Sequence, residues 1–164
     1  MLKIREAQIN DINEITEIYN WAILNTTATF DTNIKSIDEQ KKWFENHGEK
    51  NPIIVAESNE KIVGWASLSK WSDRCAYSDT AELSLYVKDG FMDKGIGKQL
   101  MENIIKIGKS VGFHTLIARI TEGNEKSINL HESYGFEHIG IMKEVGEKFG
   151  RLLSVYLMQK IFEL

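Results

Sequence analysis

The chain has a single cysteine, Cys75, and a single proline, Pro52, among its 164 residues. One cysteine excludes an internal disulfide and a cysteine-based metal cluster, and it fits a reducing compartment. The scarcity of proline, together with the lack of repeats and low-complexity tracts, leaves nothing typical of an interdomain linker. We therefore expect one domain over residues 1–164.

Long apolar runs and an excess of basic residues are also missing. No run approaches the roughly 20 residues that a membrane-spanning helix needs, and Met1–Arg5 lacks the apolar stretch of a signal peptide. The formal net charge is -4, so we expect no nucleic-acid partner, whose phosphates would require a basic surface. The four histidines are scattered without metal-ligand spacing, which argues against a metal site. We expect a cytoplasmic protein with neither a membrane nor a nucleic-acid partner.

Apolar periodicity predicts a mixed central sheet of about six to seven strands flanked by about four helices. Helix starts are expected at Asp11, at Ser36 with capping-box spacing to Glu39, near Ile96 and at Asn124. The predicted strands are residues 3–7, 53–57, 62–68, 80–87, 115–120, 136–142 and 152–158. Because 53–57 and 62–68 form a hairpin, the fold class is α/β (α+β) with a mixed rather than a fully parallel sheet.

The segment Thr80–Val87 alternates between apolar and polar residues. Ala81, Leu83, Leu85 and Val87 share one face of the predicted strand. Glu82 lies on the opposite face, so its carboxylate points away from the apolar core.

A glycine-containing loop, residues 90–97, follows this strand and precedes a helix. Free backbone N–H groups at a helix N-terminus can bind phosphate, and glycine lets the ligand come close. Two known phosphate motifs do not match, because a P-loop needs lysine at Ile96 and the dinucleotide fingerprint needs glycine at Leu100. The loop alone leaves two interpretations open: a phosphate site flanked by lysines, or an ordinary turn.

The ordered set of motifs resembles the GNAT acetyltransferase superfamily and, within it, the phosphinothricin and methionine sulfone (sulfoximine) acetyltransferases. The resemblance runs nearly from end to end of the chain. Its motifs are Ile18-Tyr19-Asn20, Ala28-Thr29-Phe30, Trp43, Val55-Ala56-Glu57, Gly64-Trp65-Ala66, Arg74, Tyr77, Thr80 to Val87, Gly95-Ile96-Gly97, Asn124, Ser127, Leu130-His131-Glu132, Gly135-Phe136 and Gly146 to Arg151.

This resemblance implies a GNAT fold, acetyl-CoA as cosubstrate and a set of residues that bind it. Backbone groups of one strand would pair with the pantetheine arm, loop amides would hold the pyrophosphate, and an asparagine would contact the cosubstrate. Matched to this sequence, these are Leu85, Tyr86, Val87, Asp93, Lys94, Gly95, Ile96, Gly97, Lys98 and Asn124. The sequence departs from the family at Met92 and Asp93, where a side-chain contact to the pyrophosphate is lost.

The chemistry of acetyl transfer requires proton transfers. An amine with a pKa near 10 is mostly protonated at neutral pH, so a base must remove its proton before attack on the thioester. The resemblance implies Glu82 as this base, against the alternative of a sheet-face carboxylate paired with Arg74 or a lysine. It implies His131 as the acid that protonates the leaving thiolate, against a surface or core histidine.

The resemblance also implies an acceptor site and an oligomer. Phe30, Arg74 and Tyr77 match positions near the substrate, and an arginine can bind a carboxylate or phosphinate bidentately. We expect acetyl transfer to the α-amine of phosphinothricin, methionine sulfoximine or methionine sulfone, in a homodimer with residues 149–153 near the neighbouring subunit. A polyamine, an aminoglycoside or a protein N-terminus as acceptor remains an alternative, as does a non-catalytic acyl-CoA-binding module.

Overall fold

The computed structural model describes residues 1–163 as one mixed sheet with helices on both faces. The strands are β1 (Leu2–Glu6), β2 (Ile53–Ser58), β3 (Lys61–Lys70), β4 (Thr80–Val87), β5 (Thr115–Thr121), β6 (Glu137–Lys148) and β7 (Arg151–Ile161). The helices are α1 (Ile12–Asn25), α2 (Ile37–Glu45), α3 (Ile96–Ser110) and α4 (Glu125–Ser133), with short 3-10 turns at Ile9–Asp11 and Cys75–Tyr77. The predicted fold class is confirmed.

The strand order in the sheet is β1-β2-β3-β4-β5-β7-β6. Every neighbouring pair is antiparallel except β4 and β5, which run parallel. The parallel pair is the one joined through α3, because a parallel connection needs a crossover. The sheet is therefore mixed, as the predicted hairpin indicated.

Each face of the sheet has its own apolar core. On one face, α3 and α4 cover the larger core, in which Leu100, Met101 and Ile104 are fully buried. On the other face, α1 packs through Ile15 and Ile18 on β2 and β3, with α2 beside it. Along β4, alternate side chains therefore reach opposite layers, and Glu82 lies on the α1 face.

Local signals at the helix ends mostly act as predicted. Ser36 accepts a hydrogen bond from the Glu39 amide at 3.1 Å and closes the capping box of α2. Asn124 caps α4, with its side-chain oxygen 3.3 Å from the Ser127 amide. Asp11 does occupy the cap position of α1, but its carboxylate instead accepts hydrogen bonds from Arg5 and from the Gln8 amide. The Arg5 guanidinium holds the pKa of this carboxyl below its usual range.

The β6–β7 hairpin is longer than the predicted strands 136–142 and 152–158. Pairing continues to Lys148 and Arg151, across register shifts near His138 and after Met142. The extension was hard to predict because nearly every residue of β6 is exposed, so it lacks the alternation that marks a half-buried strand.

Candidate functional site

The parallel pair β4 and β5 separates partway along its length. The two strands pair only through Thr80 to Glu82 and Thr115 to Ile117. Beyond Glu82, β4 keeps its pairing with β3 but no residue of β5 lies opposite it. The separation opens a cleft of about 1090 Å³ whose walls include Leu83–Val87 and Ala118–Thr121. The β5 side of β4 thus offers strand backbone groups to a ligand in place of a neighbouring strand.

The N-terminus of α3 forms one wall of this cleft. Gly95 caps the helix in the left-handed conformation, with φ of 79°, and contributes no side-chain cap. Residues 95–98 lie on the cleft walls, so the free amides and the positive end of the helix dipole face the cleft. The first turn of α3 carries no acidic residue that would offset this positive end. This arrangement favours an anion and fits the pyrophosphate expected here.

Of the predicted loop residues, Asp93, Gly95, Ile96, Gly97 and Lys98 line the cleft, whereas Lys94 is not among its walls. The Lys94 ammonium lies 5.1 Å from the centroid of the Phe91 ring. The Asp93 carboxylate, a departure from the family pattern, lies 2.8 Å from the Lys126 ammonium. This neighbouring cation offsets the negative charge that Asp93 brings to an anion site.

Glu82 lies in the cleft where the two strands part. Arg119 of β5 binds its carboxylate with two N–H groups, Nε to Oε2 and Nη2 to Oε1, the second at 2.7 Å. The Glu82 side chain is 19% exposed and that of Arg119 52% exposed. The carboxylate raises the pKa of the Arg119 guanidinium, so the guanidinium keeps its positive charge. The predicted base is therefore an ion-paired carboxylate, and its partner is neither Arg74 nor a lysine.

His131 lies on α4, on the opposite face of the sheet from Glu82, and lines the same cleft. Its Nδ1 donates a hydrogen bond to the Ser127 carbonyl oxygen at 2.7 Å, which places the proton of the neutral ring on Nδ1. Its Nε2 is buried without a hydrogen-bond partner among the described residues. Burial lowers the pKa of His131, so at neutral pH Nε2 carries a lone pair.

The loop that follows α1 forms part of the cleft wall through residues 28–31. Tyr19 hydrogen bonds through its hydroxyl to Thr29 at 2.9 Å and to Asp31. Lys148 of β6, only 4% exposed, donates to the Thr29 carbonyl oxygen at 2.7 Å. The Phe30 ring lies directly over Gly146, where a Cβ atom would overlap it. The hairpin therefore fixes the loop that presents Phe30 to the cleft.

Two predicted substrate residues lie away from the cleft walls. Arg74 precedes the 3-10 turn Cys75–Tyr77, and its backbone N–H donates to the Ser72 hydroxyl at 3.3 Å. Tyr77 is 44% exposed. Neither lines the cleft or the smaller cavity of about 370 Å³ between α1, α2 and the sheet. Of the three predicted residues, the structure brings only Phe30 to the cleft.

Sequence reasoning missed Arg119, the one arginine on the cleft walls within residues 1–163. The signal was an arginine inside a strand otherwise composed of apolar and threonine residues, Thr115–Thr121. The Arg119 side chain is half exposed and pairs with Glu82.

Among residues 1–163, no group of His, Cys, Asp and Glu side chains is placed to hold a metal ion. None of the helices described there is both long and apolar enough to cross a membrane.

Residues 4–154 match the family model described as an acetyltransferase (GNAT) domain. The chain is 37% identical over 158 residues to an L-methionine sulfoximine/L-methionine sulfone acetyltransferase of Pseudomonas aeruginosa, covering 95% of this chain and 92% of that one. A phosphinothricin acetyltransferase from Sinorhizobium meliloti in complex with acetyl-CoA has a TM-score of 0.94 at 34% identity, covering 98% and 88% of the two chains. A ribosomal-protein-alanine N-acetyltransferase from Brucella melitensis has a TM-score of 0.95 at 37% identity, covering 98% and 99%.

Proposed function

Because this chain belongs to the GNAT acetyltransferase family, we propose that it transfers an acetyl group to the α-amine of a small amino acid. Acetyl-CoA is the acyl donor, and methionine sulfoximine, methionine sulfone and phosphinothricin are the proposed acceptors. The observation that carries the proposal is the cleft between β4 and β5, which brings an anion site, Glu82 and His131 to one space. Attack occurs directly, in a ternary complex of enzyme, donor and acceptor.

The residues present fit the donor. Unpaired backbone groups of Leu85–Val87 would hold the pantetheine arm, and the amides of Gly95–Lys98 would hold the pyrophosphate. Asn124 stands across the cleft at the start of α4. When bound, acetyl-CoA supplies a thioester whose carbonyl carbon accepts the amine. A backbone N–H on β4 would stabilise the developing oxyanion, an interaction often worth about 3 kcal/mol.

Glu82 is proposed as the general base. The acceptor arrives as an ammonium ion, and a carboxylate can take its proton directly or through a water molecule. The two hydrogen bonds from Arg119 hold the Glu82 carboxylate at the point where β4 and β5 separate. The apolar packing of α3 and α4 lies behind it, on the other side of the sheet.

His131 is proposed as the acid that protonates the leaving thiolate. Its neutral ring has a hydrogen on Nδ1 held by Ser127, so Nε2 is the atom available to the reaction. To act as an acid, Nε2 must first take up a proton, and the acetylated nitrogen releases one as it becomes an amide. His131 would then pass a proton to the thiolate and return to its neutral form.

The acceptor end is proposed to include Phe30 from the loop after α1, with Arg74 and Tyr77 from the β3–β4 connection. Phe30 already lies on the cleft wall. Arg74 and Tyr77 would have to move inward to touch an acceptor, since both lie outside the walls. The hairpin residue Lys148 holds the Phe30 loop in place through the Thr29 carbonyl.

A homodimer and a cytoplasmic location are proposed as the setting of this enzyme. The β6–β7 hairpin exposes Ile141, Val145, Phe149 and Leu152, each more than half exposed in this chain. Exposed apolar side chains on one hairpin are typical of an interface. Light scattering at micromolar concentration is expected to give twice the mass of 18.8 kDa, and a monomer would contradict the dimer.

The test of function is acetyl-CoA-dependent release of free CoA thiol by the purified protein. The acceptor panel contains methionine sulfoximine, methionine sulfone, phosphinothricin, common amino acids, a polyamine and an aminoglycoside. Saturable release with the first three supports the proposal. Acetyl-CoA binding without release for any acceptor would support a non-catalytic acyl-CoA-binding module instead.

A protein N-terminus is a second candidate acceptor, favoured by the likeness to the ribosomal-protein-alanine acetyltransferase. Such an acceptor presents an α-amine without an adjacent carboxylate. A peptide that begins with alanine, added to the same panel, separates the two candidates. Release with the peptide and not with free amino acids would favour the protein acceptor.

A further inference from the structure

The ion pair between Glu82 and Arg119 has the charge pattern of an amino-acid site. Both side chains lie on the α1 face of neighbouring parallel strands, at the point where pairing ends. Arg119 uses Nε and Nη2 for Glu82, while its Nη1 has no hydrogen-bond partner among residues 1–163. Its guanidinium carbon lies 5.7 Å from the centroid of the Trp71 ring, a contact that holds the exposed side chain at the cleft.

We propose that Arg119 binds the α-carboxylate of the acceptor while Glu82 binds its α-ammonium group, an inference that rests on the proposed function. In a free amino acid, both charged groups are attached to the same carbon atom, so they can meet two adjacent side chains of opposite charge. A guanidinium has five N–H groups and can keep a bond to Glu82 while it receives a second carboxylate. In the complex, the ammonium and carboxylate groups of the acceptor alternate in charge with the Glu82 carboxylate and the Arg119 guanidinium.

The same pair would discriminate against amines that lack a carboxylate. Arg119 already offsets the charge of Glu82, so a lone ammonium group gains less attraction and lies beside a positive guanidinium. A carboxylate beside the amine removes this repulsion. Arg119 is therefore a specificity-determining residue for free amino acids over amides, simple amines and peptide N-termini.

A purely structural role for Arg119 makes a different prediction. In that case the ion pair only joins β4 to β5 and holds the Glu82 carboxylate in place. Loss of the arginine would then reduce turnover of every acceptor by the same factor. The ratio of kcat/KM between an amino acid and its carboxamide separates these roles, because that ratio is unaffected by a general loss of activity.

The test compares Arg119→Gln and Arg119→Lys with the wild type on methionine sulfone and on its α-carboxamide. The wild type is expected to prefer the acid. Arg119→Gln should lower kcat/KM for the acid about 10- to 100-fold, mainly through KM, and should leave the carboxamide much less affected. Arg119→Lys should keep part of the preference, since lysine retains charge without the fork. Lys106→Gln, an exposed α3 residue paired with Glu102, is the matched charge control and should change nothing.

An unchanged ratio of acid to carboxamide in a folded Arg119→Gln variant would overturn the inference and leave the proposed function standing. If the wild type releases CoA with no amino acid of the acceptor panel, the proposed function fails, and calorimetric binding of methionine sulfone and its carboxamide decides the inference. Binding of the acid that Arg119→Gln abolishes would support it. Equal binding of both, or binding of neither, would overturn it.

Discussion

Substitution of Gly97 by alanine tests where the donor binds. Gly97 lies in the first turn of α3, on the cleft wall. A Cβ atom there would lie 3.5 Å from the Leu130 side chain, 3.9 Å from that of Leu85 and 4.0 Å from that of Val87. These are ordinary contacts, so the folded chain accepts the methyl group. Because alanine favours helix over glycine, the free energy of unfolding should stay equal or rise by up to about 1 kcal/mol.

Acetyl-CoA affinity should nevertheless fall. The added methyl group occupies space between cleft walls that the donor must approach closely to reach the helix amides. Forcing an extra methyl group into filled space costs about 1–3 kcal/mol. Binding should therefore weaken about 5- to 150-fold.

Isothermal calorimetry with acetyl-CoA measures the affinity, and urea denaturation measures the stability. Gly140→Ala is the matched control, because a Cβ at Gly140 meets nothing within 4 Å and Gly140 lies outside the cleft walls. An unchanged affinity of Gly97→Ala would refute the placement of the donor against the N-terminus of α3.

Three further outcomes are expected. Glu82→Gln should lower kcat/KM about 10²- to 10⁴-fold with acetyl-CoA binding retained, and near wild-type turnover in steady-state assays would remove Glu82 as the base. Burial lowers the pKa of both His47 and His131. The unfolded chain therefore binds more protons at mildly acidic pH, and the free energy of unfolding should fall as the pH drops below about 6.5 until it passes the folded pKa values. Urea titrations of the wild type and of His131→Asn at several pH values check this, and an identical pH slope for both would contradict the contribution of His131. Gly146→Ala should lower the free energy of unfolding by about 1–3 kcal/mol, because the added methyl group overlaps the Phe30 ring. In a double-mutant cycle, adding Phe30→Ala should recover much of that loss, and additive losses would contradict the overlap.

Local patterns were sufficient to predict the elements that form the site. The period of two along Thr80–Val87 placed Glu82 on the face opposite the main core, because side-chain direction in a strand depends only on sequence position. Ser36 and Asn124 were predicted as caps for a similar reason, since a cap bonds to an amide three residues away.

Contacts between distant segments could not be predicted in the same way. The partner of Glu82 is Arg119, 37 residues away, and the pair exists only because β5 becomes the parallel neighbour of β4. Strand order is a property of the whole sheet, so the sequence left Arg74 and the lysines as equally reasonable partners. The position of Arg74 outside the cleft depends on the path of a loop, which periodicity does not determine.

In the proposed reaction, the α-amine of a free amino acid is acetylated in the cleft between β4 and β5. The most direct measurement is nuclear magnetic resonance of the products formed from methionine sulfone and acetyl-CoA labelled in its acetyl group. We expect one labelled acetyl group on the α-nitrogen for each CoA released, and loss of this product with Glu82→Gln. Free acetate as the labelled product, or no transfer at saturating acceptor, would contradict acetyl transfer to the amino acid in this cleft.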